Sequence, residues 1–156
     1  KYKVLKKKTN KKYDLIVLAD VLEHIKNDKK KIKQLSMNLK KNGKILITVP
    51  AYKALFTKKD IIVGHYRRYK INEIKDIFRD FEIKKLSYFN FFLFLPISIS
   101  YLIYKILETD FTESAQKKPN YFLNSILFSI FNFESKIIDR IDFPFGISIF
   151  GFFEKK

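Results

Sequence analysis

The feature that most constrains the fold is a pair of apolar runs separated by one helical segment. The runs are Leu15-Ile16-Val17-Leu18-Ala19 and Ile45-Leu46-Ile47-Thr48-Val49. Apolar residues at successive positions are typical of strands that are buried on both faces of a parallel sheet. Parallel neighbours need a crossover connection, which is usually a helix. The sequence therefore predicts a βαβ unit and an α/β fold.

The segment between the two runs predicts an amphipathic helix. Apolar residues recur there at helical spacing on an otherwise lysine-rich stretch; they are Ile25, Ile32, Leu35 and Leu39. Asn42-Gly43 is interpreted as the helix stop, because glycine readily takes the left-handed cap conformation. The second strand, 44–49, is expected to end at Pro50, which cannot continue a central strand.

Further elements follow in the same alternating style. A second amphipathic helix is indicated by apolar residues on one face, namely Ile71, Ile74, Ile77, Phe78 and Phe81. Residues 81–88 predict a third strand, and residues 145–153 predict a last one. Residues 86–104 carry no charge, which is compatible with a membrane span. Pro96, Ser98 and Ser100 interrupt that stretch, so helices that pack over the sheet or lie in a membrane interface are favoured.

Composition excludes several classes of protein. The net charge of +16 fits attraction to nucleic acid or to an anionic membrane, or alternatively a solvated coat of scattered lysines. The absence of cysteine excludes disulfides and thiolate metal sites. Four glycines, at 43, 64, 146 and 151, allow neither a dinucleotide-binding nor a Walker loop. The two histidines lack the spacing of an H-E-x-x-H motif, so no metal site is predicted from the sequence.

A polar corner follows the first predicted strand. Asp20, Glu23 and His24 come directly after the apolar run, at the sheet edge where ligands bind in open parallel sheets. If a helix begins there, residues 20 and 24 project from one side of it. The alternative is that Asp20 is only an N-cap and His24 a partly buried helical histidine.

A second polar group lies in the loop after the second strand. Residues 51–70 contain Tyr52, Asp60 and the run Gly64-His65-Tyr66-Arg67-Arg68-Tyr69. Adjacent arginines suit an anionic ligand, since a guanidinium binds carboxylate or phosphate with two bonds. His65 has the chemistry of a base or a hydrogen-bond donor. The alternative is that the arginines pair with Asp60 and Glu73 and only fix the loop.

These motifs together resemble a known family. The order of residues 13–17, 20–25, 39–44 and 48–52 is similar to the second half of a class I S-adenosylmethionine-dependent methyltransferase. Asp60 and the run 64–69 resemble one bacterial branch more narrowly, as does Phe143-Pro144-Phe145-Gly146-Ile147-Ser148. The resemblance covers residues 13–95 well and the remainder loosely.

The resemblance implies a doubly wound, Rossmann-like sheet of seven strands in the order 3-2-1-4-5-7-6, with the last strand antiparallel. On that template the chain supplies strands four to seven as residues 15–19, 45–49, 81–88 and 145–153. Residues 1–156 then form a single incomplete methyltransferase domain, with 90–142 as a helical, apolar insertion or cap. The glycine-rich cofactor loop is not in this sequence, so weak cofactor binding and little activity are expected of these residues alone.

The resemblance also assigns roles. S-adenosyl-L-methionine is the implied cofactor, with Asp20, Leu22 and Glu23 beside it. His24 and His65 are the candidate catalytic bases. The acceptor is expected to meet the loop, through Tyr52, Asp60, Arg67, Arg68 and Tyr69. The expected partners are a small-molecule, glycan or lipid-linked acceptor and the surface of a membrane, in a cytoplasmic protein peripheral to the inner membrane face. A non-catalytic basic module for anionic membrane or nucleic acid is the alternative; nucleic acid is disfavoured because the aromatic residues crowd into uncharged runs.

Overall fold

The chain folds around one four-stranded sheet. The structure is a computed structural model, and it describes residues 11–107 and 120–156. The strands are β1 (Tyr13–Ala19), β2 (Leu39–Pro50), β3 (Phe81–Phe89) and β4 (Ser148–Lys155). The helices are α1 (Asp28–Ser36), α2 (Lys58–Ile62), α3 (Ile71–Ile77), α4 (Phe94–Leu107) and α5 (Tyr121–Ile137). Short 3₁₀ turns, Leu22–His24 and Lys53–Leu55, follow β1 and β2.

The sheet has the strand order β1-β2-β4-β3. β1 and β2 are parallel, whereas β4 runs antiparallel to both β2 and β3. This is the arrangement that the resemblance implies for strands four, five, seven and six. The predicted α/β class is therefore confirmed, as is the prediction that the last strand is antiparallel.

The crossover helix ends earlier than predicted. α1 stops at Ser36, and the N–H of Asn38 donates to the Leu35 carbonyl at 2.9 Å to close its last turn. Leu39 already belongs to β2, where it is the register partner of Tyr13. The helix stop at Asn42-Gly43 was thus wrong: Asn42, with φ of 59°, takes the left-handed conformation inside β2, and Gly43 does not. The sequence pattern assigned Leu39 to the helix because a spacing of four residues from Leu35 also fits a helix.

One face of β1 is more exposed than predicted. Ile16 and Leu18 are buried, but Leu15 and Val17 are 47% and 53% exposed. Within the described residues the buried core lies on the other face of this strand. It includes side chains from β2, β4, α1, α3 and the residue that follows α3, among them Ile45, Ile47, Ile149, Phe153, Ile32, Leu35, Ile74 and Phe78. The expectation of burial on both faces is therefore wrong for β1 in this part of the chain.

The apolar residues after β3 form helices that expose much of their surface. On α4, Leu95 and Ile106 are 67% and 77% exposed, and on α5 Tyr121 is 90% exposed. The buried Glu134 of α5 accepts from the N–H of Phe91 at 3.0 and 3.2 Å, which fixes α5 beside the end of β3. Part of the predicted insertion 90–142, residues 108–119, lies outside the described residues.

Among residues 11–107 and 120–156, no helix combines the length and the hydropathy that crossing a bilayer requires.

Candidate active site

The chain turns sharply where β1 ends. Asp20 has a φ of 50°, and its N–H donates to the Thr48 carbonyl at 3.0 Å. The Thr48 hydroxyl donates in turn to Asp20 Oδ1 at 3.0 Å. Only a 3₁₀ turn follows, with Val21 at its N-cap position. Residues 20 and 24 therefore do not share a helix face as predicted, and Asp20 is not an N-cap. The reason is that Thr48 of the adjacent strand holds the Asp20 carboxylate at the sheet edge.

The loop after β2 folds back onto this corner. The Tyr66 N–H donates to the Glu23 carbonyl at 2.8 Å, and the Tyr69 hydroxyl donates to the Leu22 carbonyl at 3.2 Å. His24 Nδ1 lies 3.2 Å from the Gly64 carbonyl oxygen. Because β1 and β2 are parallel neighbours, the segments that follow them meet at one edge of the sheet. The two polar groups that the sequence singled out are thus in direct contact.

The two histidines and Glu23 form the centre of the contact. The rings of His24 and His65 are 4.6 Å apart and nearly perpendicular. His65 Nδ1 lies 2.9 Å from Asp60 Oδ1, and its Nε2 lies 3.9 Å from Glu23 Oε1. A carboxylate only accepts hydrogen bonds, so Nδ1 of His65 carries a proton, and in the neutral ring Nε2 has the lone pair. Because the Gly64 carbonyl also only accepts, Nδ1 of His24 carries a proton as well.

Asp60 and Arg68 form a buried ion pair behind His65. Arg68 Nε and Nη2 donate to Asp60 Oδ1 and Oδ2 at 2.9 and 3.0 Å. Burial opposes the charge on Asp60, but Arg68, the Thr57 N–H and His65 together lower the pKa of its carboxyl below the ordinary value. The Arg68 guanidinium also lies over the ring of Tyr101, 4.8 Å from its centre. The alternative interpretation of the sequence, a structural pairing with Asp60, is therefore correct for Arg68.

Arg67 pairs with a residue that the sequence did not single out. Its Nη1 donates to Asp28 Oδ2 at 3.0 Å, and its Nη2 donates to the Lys26 carbonyl at 2.7 Å. The Tyr69 hydroxyl also donates to Asp28 Oδ2 at 3.0 Å, so this oxygen accepts from both Arg67 and Tyr69. The alternative interpretation of the sequence, a pairing with Glu73, is wrong for Arg67, since Glu73 accepts from the N–H of Lys70 at the start of α3. Asp28 follows the helix cap Asn27, and nothing in its local pattern indicates a partner 39 residues away.

Tyr52 packs among aromatic side chains at the start of the loop after β2. It has a φ of 59°, its ring stacks on Tyr88 at 5.2 Å, and Phe94 meets it edge-on at 5.6 Å. Burial and the neighbouring Tyr88 raise the pKa of Tyr52, so it stays a neutral phenol near pH 7. This aromatic group connects the loop after β2 to the beginning of α4.

The predicted site residues differ in what they expose. Asp20 and His24 reach solvent, and the Arg67 side chain is 36% exposed. Leu22 is fully buried in the core, and Tyr69, Asp60 and Arg68 are buried. A cleft of about 600 Å³ lies beside Arg67 and Arg68. Neither Glu23 nor His65 lines it, so the histidine cluster and this cleft are adjacent features that share the arginine loop.

Glu23 is buried without a partner for its carboxylate. Its side chain is fully buried, and neither Oε1 nor Oε2 accepts a hydrogen bond. Burial raises the pKa of the Glu23 carboxyl, as does the nearby Asp20. The other buried acidic groups of the described residues, Asp28, Asp60 and Glu134, all have partners. An unpaired buried carboxylate is costly to the folded state.

Replacing Glu23 by methionine is expected to stabilise the protein. The substitution keeps an unbranched side chain and removes the unpaired carboxylate, so we expect the free energy of unfolding at pH 7 to rise by about 1–3 kcal/mol. Urea unfolding measures this change in free energy, with a chelator in the buffer to remove any bound cation. Glu82→Met is the matched control, since Glu82 is exposed, and should change little. A lower stability for Glu23→Met would show that the carboxylate has a stabilising partner.

Comparison with known proteins identifies the family and the fold of the chain. Residues 2–88, more than half of the chain, match the family model described as "Methyltransferase domain". A search of curated proteins finds no significant match. Among solved structures, a protein of Bacillus halodurans assigned as a methyltransferase matches with 14% identity and a TM-score of 0.50, covering 94% of this chain and 66% of the other. A protein of Galdieria sulphuraria assigned as a sarcosine dimethylglycine methyltransferase matches with 13% identity and a TM-score of 0.50, covering 97% and 56%.

A third match is phosphoethanolamine N-methyltransferase 2 of Haemonchus contortus in complex with S-adenosyl-L-methionine, with 20% identity and a TM-score of 0.47. It covers 92% of this chain, which spans 33% of that protein's length. At such identities the two matches with TM-scores of 0.50 show the fold. The family model shows the membership, and the chain belongs to the methyltransferase domain family of class I, S-adenosylmethionine-dependent methyltransferases.

Proposed function

We propose that this chain takes part in methyl transfer from S-adenosyl-L-methionine to a small-molecule, glycan or lipid-linked acceptor. The observation that carries the proposal is the contact between the corner after β1 and the loop after β2, at the carboxyl edge of two parallel strands. That edge is where open α/β sheets bind ligands. Family membership supplies the reaction class.

The corner suits part of the cofactor. The cofactor has a sulfonium and an ammonium group, and it supplies a methyl group on a positively charged sulfur. Asp20 holds an exposed carboxylate at the end of β1, fixed by Thr48, and such a carboxylate attracts a cation. Asp20 and the backbone of Leu22 are therefore the residues of this chain that we assign to the cofactor. The side chain of Leu22 is in the core, so only its backbone is offered for this role.

The loop is assigned to the acceptor. Methyl transfer depends above all on alignment of the acceptor with the bond to sulfur, and such positioning supplies about 7 kcal/mol or more. Tyr52 and Arg67 have exposed atoms for this purpose. Asp60, Arg68 and Tyr69 are buried, so we assign them to positioning the loop instead of touching the acceptor. If a proton must be removed, Nε2 of His65 or His24 is available as the base.

The apolar helices are assigned to a membrane-facing cap. α4 and α5 expose large apolar side chains, such as Ile106, Tyr121 and Phe122, in a chain whose net charge is +16. Exposed apolar groups with a basic surround are typical of proteins that lie in the interface of an anionic membrane. These features support the proposal of a lipid-linked acceptor and a peripheral location, with α4 and α5 acting as a cap on the methyltransferase domain.

Crosslinking with S-adenosyl-L-methionine radiolabelled in its methyl group tests the function. The protein in its natural length should take up the label under ultraviolet light, and excess S-adenosylhomocysteine should suppress the uptake. In parallel, binding to RNA and to anionic vesicles is measured as a function of salt. A protein that takes up no label but binds RNA with a steep salt dependence would support the non-catalytic alternative.

A further inference from the structure

We propose that Glu23, His24 and His65 form a binding site for one divalent transition-metal ion of the zinc type. The three side chains each present one ligand atom, and all three atoms lie within 4.8 Å of one another. In the sequence the two histidines stand 41 positions apart, and the fold brings them together at the carboxyl edge of β1 and β2. The proposal concerns metal binding alone and is tested without a methyl donor. With a metal bound, Nε2 of His24 and of His65 would be ligands and would no longer serve as the base named above.

The two histidines are already set up as ligands. A metal-binding histidine usually donates its other ring N–H to a carboxylate or a backbone carbonyl, which fixes the ring and its tautomer. His65 does so to Asp60 at 2.9 Å, and His24 does so to the Gly64 carbonyl at 3.2 Å. In the neutral form of both rings Nε2 therefore carries the lone pair that a metal ion needs. Asp60 is itself held by Arg68, so the support of His65 extends one residue further.

Glu23 provides the independent observation that points to a cation. Its carboxylate is fully buried, and neither oxygen accepts a hydrogen bond. One of these oxygens lies 3.9 Å from Nε2 of His65. A bound cation would compensate the buried negative charge of a carboxylate that accepts no side-chain hydrogen bond.

The ligand set selects the class of metal. Two imidazoles and one carboxylate suit zinc and other first-row transition metals, whereas magnesium and calcium prefer oxygen ligands. Around a tetrahedral zinc ion the ligand atoms stand ~3.3 Å apart, so the cluster must contract. His24 is exposed, so its ring has room to move inward while Nδ1 stays bonded to the Gly64 carbonyl. Three protein ligands leave a position open for a water molecule or an acceptor oxygen.

Metal binding to the chelator-stripped protein tests the proposal, without any methyl donor present. Equilibrium dialysis against zinc should show saturable binding of one ion per chain, and cobalt in its place should give visible ligand-field absorption. The chain has two histidines, no cysteine and a net charge of +16, so adventitious binding of cations is disfavoured. Zinc should also raise the melting temperature.

Single variants locate the site. We expect each of three substitutions to weaken zinc binding at least ~10-fold: Glu23→Gln, His24→Gln and His65→Gln. Replacing even a group that only supports a metal ligand typically has an effect of this size. Glu82→Gln is the matched control and should bind as the unchanged protein does. Circular dichroism establishes that each variant is folded. Absence of saturable zinc binding and of a cobalt spectrum in the unchanged protein would overturn the proposal, as would one-to-one binding that survives in folded His24→Gln and His65→Gln.

Discussion

Replacing Arg68 by methionine is expected to lower the free energy of unfolding by about 3–5 kcal/mol, the usual cost of removing one partner of a buried ion pair. The Arg68 and Asp60 side chains are only 4% and 2% exposed and share two hydrogen bonds. Without Arg68 the Asp60 carboxylate keeps its bonds to Thr57 and His65, but it loses the charge that compensates its burial.

Urea unfolding followed by circular dichroism measures this change. Arg79→Met is the matched control, because Arg79 and its neighbour Asp80 are 75% and 86% exposed and 4.0 Å apart. Exposed ion pairs of this kind contribute little to stability, so the control should unfold as the unchanged protein does. Equal stabilities for Arg68→Met and Arg79→Met would contradict the description of the loop as fixed by a buried charge pair.

Replacing Phe153 by alanine is expected to cost about 3–5 kcal/mol, the range for removing a large aromatic side chain from a core. Phe153 of β4 is fully buried, and its ring stacks on that of Phe78 with the centres 3.9 Å apart. Phe78 follows α3, so this pair joins the sheet to the helix that comes after the arginine loop. The cavity would therefore loosen the support of the site as well as the core.

Thermal and urea unfolding measure the loss. Phe128→Ala on α5 makes the same chemical change at a side chain that is 68% exposed, and it should leave the stability nearly unchanged. If both variants lost similar stability, the assignment of the core to the face shared by β4 and α3 would be wrong.

The crossover unit was predictable because its pattern is local. Two strongly apolar runs with a lysine-rich helical segment between them leave few arrangements other than β1, α1 and β2. The boundary between α1 and β2 was not predictable, since Leu39 fits both a helix stripe and a strand. The exposure of Leu15 and Val17 also escaped prediction, because it depends on what covers the second face of the sheet and not on the strand itself.

The meeting of the two polar groups followed from topology alone. Parallel neighbouring strands bring the segments after them to one edge, so His24 and His65 could be expected together although 41 residues separate them. The individual pairings could not. Arg67 binds Asp28 and Glu73 caps α3, and both depend on three-dimensional contacts that residue spacing does not encode. The unpaired burial of Glu23 has no sequence signal either.

The most direct test of the central claim is to locate the crosslinked methyl label in the chain. The claim is that the corner at residues 20–24 and the loop at residues 52–69 form one site for the cofactor and the acceptor. Peptide mapping by mass spectrometry of the protein in its natural length, labelled as described above, should find the label within these two segments. Label confined to α5, or evenly spread along the chain, would contradict the account.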